Sequence, residues 1–111
     1  MKETTTVRVT EKHIRAGKPC KSCECPLALA VIDALVAQGI AVITVEVDMF
    51  DVTALVDESG QVRKFRADLD TRSVGFVEAF DDEDEEGRDA EVVAPFETEL
   101  TWCLIEWREA A

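Results

Sequence analysis

The period of hydrophobic and polar positions changes several times along this chain, and each change marks an element. Residues 5–10 read TTVRVT, with Val7 and Val9 alternating against polar neighbours; this predicts a short, half-buried strand. Thr10 can cap the single helical turn predicted for EKHIRAG, which Gly17 can end and Pro19 keeps from continuing. From Pro26 to Gly39 the alternation is gone. Leu27, Leu29, Val31, Ile32, Leu35 and Val36 would point in nearly every direction of a helix, and only Asp33 and Gln38 are polar. An apolar cylinder of this kind predicts a helix buried on most sides. Pro26 suits its first turn, where a missing N–H costs nothing, and Gly39 supplies a left-handed stop.

Ile40 to Val47 (IAVITVEV) is rich in β-branched residues and predicts a strand with Ala41, Ile43, Val45 and Val47 on one face and Thr44 and Glu46 on the other. Asp48 to Asp51 is a turn or kink. Val52–Val56 and Gln61–Arg66 predict a hairpin about a four-residue loop, Asp57-Glu58-Ser59-Gly60. Val74, Phe76, Val77 and Phe80 share a helical face, so a second helix is expected over Thr71–Asp81, capped by Asp70. Residues 81–91 are dominated by carboxylates and predict a solvated, mobile loop. After Pro95, Phe96 to Trp107 predicts one long final strand, half-buried at first and covered on both faces near its end. The order β-α-β-β-β-α-β gives a single α+β domain over residues 1–111, with a mainly antiparallel sheet around one buried central helix.

Charge narrows the partners. The net charge is −12, yet residues 1–25 carry six Lys/Arg against three Glu, so the remainder holds −15. A field of that sign repels phosphate backbones and argues against direct nucleic-acid binding. It suits contact with a basic host protein and leaves a homodimer open. No apolar run reaches the ~18 residues of a membrane span, and MKETTTVRVTEKH has no apolar signal core. The expectation is a cytoplasmic protein with reduced thiols.

Candidate chemistry is confined to Cys20-x2-Cys23-x-Cys25-Pro26, which lies just before the predicted buried helix. Zinc takes four thiolate or imidazole ligands, often anchored by one closely spaced Cys pair. Cys20, Cys23 and Cys25 could supply three, with His13 or Cys103 as the fourth. A second close pair, the mark of a zinc finger or ribbon, is missing. Two other readings stand beside zinc. In one the cysteines are plain structural thiols with no cofactor; in the other Cys-Lys-Ser-Cys cycles between dithiol and disulfide. A helix N-terminus, with Lys18 and Lys21 nearby, would depress thiol pKa values and favour the second. His13 is the sole histidine; it serves either as a hydrogen-bonding group within its turn or as a ligand or base. Nothing supplies a recognisable oxyanion site or a third catalytic group, so the expectation is a non-enzymatic protein with no catalytic residues.

Val9-Thr10-x-x-His13-Ile14-x-x-Gly17, followed by Cys20-x-x-Cys23-x-Cys25-Pro26-x-Ala28-x-Ala30, resembles a family of small uncharacterised proteins encoded by actinobacterial phages and prophages. Phe80-Asp81 and Pro95-Phe96 continue the likeness. Glu24-Cys25 before the proline departs from the family pattern by adding a cysteine. The resemblance implies a phage or prophage origin and a host-cytoplasm setting, and it brings no catalytic residues with it. Taken with size and acidity, it leads to an accessory protein working through protein–protein contact. The alternative is a metal-stabilised or thiol-redox module on Cys20, Cys23 and Cys25.

Overall fold

The computed structural model describes residues 1–81 and 93–109. The chain forms β1 (Thr4–Val9), α1 (Glu11–Ala16), α2 (Pro26–Ala37), β2 (Ala41–Val47), β3 (Asp51–Glu58), β4 (Gln61–Asp68), α3 (Thr71–Phe80), β5 (Phe96–Thr101) and β6 (Cys103–Glu109). All strand pairs are antiparallel, in a two-stranded sheet β1–β5 and a four-stranded sheet β2–β3–β4–β6. The α+β class expected from the sequence is the class observed. The acidic run expected as a mobile loop over 81–91 lies, beyond Asp81, outside the described residues.

The β3–β4 hairpin is tighter than its sequence suggests. Glu58 pairs with Gln61, leaving only Ser59 and Gly60 between the strands. Both take positive φ, 54° and 83°, the combination whose twist matches that of the flanking strands. Asp57 Oδ1 accepts the Gly60 N–H at 3.0 Å, so the aspartate assists the turn from inside the strand. On β2 the expected face is broken. The register shifts between Val42 and Thr44, and this bulge reverses the parity of everything before it. Val45 and Val47 remain buried, Val42 packs against the core, and Ile43 is 48% exposed. With Val52, Ala54 and Val56 of β3 and Phe65 and Ala67 of β4, they make the sheet's apolar inner face.

α2 lies against that face and against β1. Its end carries both bonds of a Schellman motif, Ile40 N–H to Leu35 O at 3.1 Å and Gly39 N–H to Val36 O at 2.9 Å, with Gly39 at φ 80°. Its N-terminal half is the more deeply covered. Leu27, Ala28, Ala30, Val31 and Leu35 are buried, but Val36 is 57% exposed and Asp33 and Ala37 face water. The helix is therefore less enclosed than its composition predicts, because sheet and α1 cover only part of its circumference. Gly17 ends α1 as expected, its N–H on His13 O, but with an ordinary φ of −71°. What requires glycine there is space: a Cβ would lie 2.5 Å from the Pro26 ring and 2.7 Å from Pro26 N.

The predicted long final strand is two strands. Trp102 divides it: β5 pairs with β1, and β6 crosses to pair with β4. Trp102 is buried, with its backbone N–H on Glu3 O at 2.8 Å and its indole Nε1–H on Thr5 Oγ1 at 2.8 Å. Thr5 Oγ1 donates in turn to Gln38 Oε1 at 3.0 Å, beside the end of α2. Beyond Trp102, Leu104 and Ile105 are exposed, so the expected cover on both faces is not found. α3 closes the core with Phe76, Val77 and Phe80. It is capped by Asp70, whose carboxylate accepts from Ser73 N–H at 2.8 Å and from Thr98 Oγ1 at 2.7 Å. Burial alone would push this carboxyl up. Its hydrogen bonds from Ser73 and Thr98, with Arg72 nearby, outweigh burial and hold it below the ordinary value of 3.8.

Two stability measurements check this packing. Gly17→Ala should lower unfolding free energy by about 1–3 kcal/mol, since the rigid Pro26 ring and backbone must move apart to admit the methyl. A loss within a few tenths of a kcal/mol in denaturant titrations would contradict the contact. Asp70→Ala should cost about 1 kcal/mol at neutral pH. Because the folded pKa is depressed, this contribution is complete above the unfolded aspartate value and vanishes as pH falls through the folded one. The gap between variant and wild type should thus close in acid; a gap that widens would show that another group dominates.

Candidate functional site

The cysteines sit in a loop that is closed on itself. Lys18 N–H bonds Glu24 O at 2.9 Å, and within this neck Glu24 and Cys25 N–H both bond Lys21 O, at 3.0 and 2.9 Å. Two further bonds fasten the loop to its surroundings. Val47 N–H at the end of β2 bonds Ser22 O at 2.9 Å, and Cys20 N–H bonds Asp81 Oδ1 at the end of α3 at 2.9 Å. Cys20 takes φ 58°, a left-handed conformation that non-glycine residues rarely adopt. Its thiol points back to donate to Asp81 O at 3.5 Å. Cys20 and Cys23 are both exposed.

Cys25 behaves differently. It is the N-cap of α2, and its sulfur accepts the Ala28 N–H at 3.5 Å. A helix N-terminus was the reason to expect a depressed thiol pKa. The structure reverses this for Cys25: burial, the largest influence, pushes the thiol up, and the Asp81 carboxylate adds to it against the Ala28 N–H. With 5% of its surface exposed, desolvation of a thiolate outweighs a long sulfur hydrogen bond.

His13 is held elsewhere. Its Nδ1 accepts the Thr10 N–H at 3.0 Å, completing a capping box for α1. That fixes the proton of the neutral ring on Nε2, which faces Asp33 Oδ2 of α2 at 2.7 Å. Both ring nitrogens are engaged, in the manner of a structural histidine that ties α1 to α2. Cys103 lies in β6 opposite Arg66 of β4, exposed on the sheet. Among the described residues no three His, Cys, Asp or Glu side chains come together as a metal site. Cys20, Cys23 and Cys25 share one loop, but His13 and Cys103 do not join them, so this arrangement does not fit a four-ligand zinc.

The same loop forms one wall of a groove of about 370 Å3. Val47 and Met49, from the end of β2 and the turn after it, and Val77 of α3 give the groove its apolar surface. Asp48, Glu78 and Asp81 stand around it, with Lys21 the one cation among the lining residues. Met49 is 57% exposed and the adjacent Phe50 65%. Their turn is pinned nonetheless: Asp48 N–H bonds Asp51 O at 2.8 Å, and Leu69 N–H bonds Phe50 O at 2.9 Å. By contrast, the shallow hollow on the outer face of the four-stranded sheet is lined mainly by Thr44, Glu46, Thr53, Lys64 and Glu106, an ordinary solvated surface. The sequence reading passed over Met49 and Phe50 as turn residues. The signal was there in two large apolar residues between aspartates in a segment too short to bury them.

Comparison with protein-family models, with curated proteins and with solved structures gives no match for this chain. No helix among the described residues is long and apolar enough to cross a membrane.

Thiol labelling separates the cysteines. In the folded protein Cys20, Cys23 and Cys103 should react readily with an aromatic disulfide reagent, while Cys25 reacts at least about tenfold more slowly until the chain is unfolded. Mass spectrometry of the labelled peptides reads this directly, and equal rates for Cys25 and Cys23 would contradict its burial.

Proposed function

We propose that this chain is an accessory protein of phage or prophage type, acting in the host cytoplasm by protein–protein contact rather than by catalysis. The observation that carries the reading is the pair Met49 and Phe50, adjacent, exposed and held on a pinned turn beside a preformed groove. Large apolar side chains fixed in water gain when a partner covers them, and aromatic residues of this kind are favoured anchors in interfaces. The origin and setting rest on the resemblance of the Val9–Gly17 and Cys20–Ala30 segments. The non-catalytic reading is supported by His13, whose ring is committed to Thr10 and Asp33 rather than to a thiol.

A second reading has its own observation. Cys20 and Cys23 are presented together, exposed, on a loop anchored at several points, which suits a thiol-active or metal-binding module. The two are separated by purifying the protein without chelator, measuring metal and thiol content, and using it as bait in an actinobacterial lysate. The contact reading expects free thiols, no stoichiometric metal, and a partner whose recovery falls when Met49 and Phe50 are both replaced by Ser. About one zinc per chain, lost with folding on replacing Cys20 and Cys23 by Ser, or turnover without any specific partner, would overturn it in favour of the second.

A further inference from the structure

We infer that the groove between the cysteine loop, the β2–β3 turn and the end of α3 is a docking site for a basic protein segment that carries an apolar anchor. This rests on the contact reading and specifies its surface and partner chemistry. The groove offers both halves of such a recognition. Val47, Met49 and Val77 make a floor and wall for an apolar side chain, and Phe50, next to Met49 on the same turn, is also exposed. Around it, the carboxylates of Asp48, Glu78 and Asp81 make no ion pair with any described cation, while Lys21 supplies the only positive charge in the lining.

Charge decides among occupants. A second copy of this chain brings a net charge of −12 to an acidic rim. Nucleic acid and anionic lipid are repelled in the same way. A segment in which Lys or Arg flank a Leu, Ile, Phe or Trp complements both the rim and the floor, and the field of the whole chain draws it in. The groove is also ready before its partner arrives. Its walls are joined by Val47 N–H to Ser22 O and by Cys20 N–H to Asp81 Oδ1, each 2.9 Å, and its turn is pinned through Phe50 O. Little ordering remains to be done on binding, which favours affinity from a short segment.

Selection from a library of displayed random dodecapeptides tests this, with wild-type protein and the Met49→Ser/Phe50→Ser variant as parallel baits. Both side chains are exposed, so the fold does not depend on them. The expected result is enrichment of peptides with Lys or Arg beside a large apolar residue. They should bind wild type at least about tenfold more tightly than the double variant, weaken as salt is raised, and weaken again on Glu78→Lys. Peptides that are acidic or uncharged, or no enrichment at all, would overturn the inference. So would peptides binding wild type and double variant alike; that result would move the contact to another surface and leave the broader reading standing. A homodimer that the double variant dissolves would give the groove to a second copy and overturn it too. Failure of the broader reading shows separately, as turnover or stoichiometric zinc in the unlabelled protein.

Discussion

A buried indole N–H must find an acceptor, and Trp102 finds its acceptor in Thr5. An unpaired buried donor costs about 1–3 kcal/mol, so this bond fixes more than one side chain. Thr5 passes the interaction on to Gln38, and so the first strand, the end of the central helix and the crossover of the last strand share one hydrogen-bonded chain. Trp102 N–H on Glu3 O holds the same junction through the backbone. The crossover allows β5 to complete the small sheet with β1 while β6 completes the larger one with β4. Without a firm point between them, twelve-odd residues of alternating pattern would have run on as a single strand, as the bare sequence suggests.

The elements with clear end signals were legible. α2 has Pro26 at its start and Gly39 at its end, and both act as their chemistry predicts. α3 has Asp70, which caps it. What could not be read was whatever depends on neighbours. The β2 bulge leaves no mark in IAVITVEV, because every position there is tolerable on either face, and so Ile43 and Val42 exchange roles. Gly17 ends α1, as its place in the sequence suggests, but the reason a glycine is required, the Pro26 ring, comes from a residue nine positions on. Thr5 shares its strand parity with the buried Val7 and Val9, but the partner that makes its hydroxyl welcome inside, Trp102, lies 97 positions on.

At the candidate site two principles competed, and the sequence exposed only one. The helix N-terminus favours thiolate, and Pro26 announces that terminus plainly. Burial opposes thiolate, and for Cys25 it wins because the residue is buried in the core with Asp81 nearby. The three cysteines that look like one cluster in the sequence are thus one core residue and two surface residues. The groove beside them was harder to foresee, since it is assembled from a strand end, a turn, a loop and a helix end that come together only through the fold.

The cysteine loop is secured almost wholly through its main chain: the bonds at Lys18, Cys20, Lys21, Ser22 and Glu24 all use backbone groups of the loop. Side chains from Lys21 to Cys23 therefore carry little of the loop's own support. A surface made this way separates form from chemistry. Its charge, size or reactivity can drift from one sequence to the next while the groove keeps its outline, giving one scaffold room to follow a changing partner.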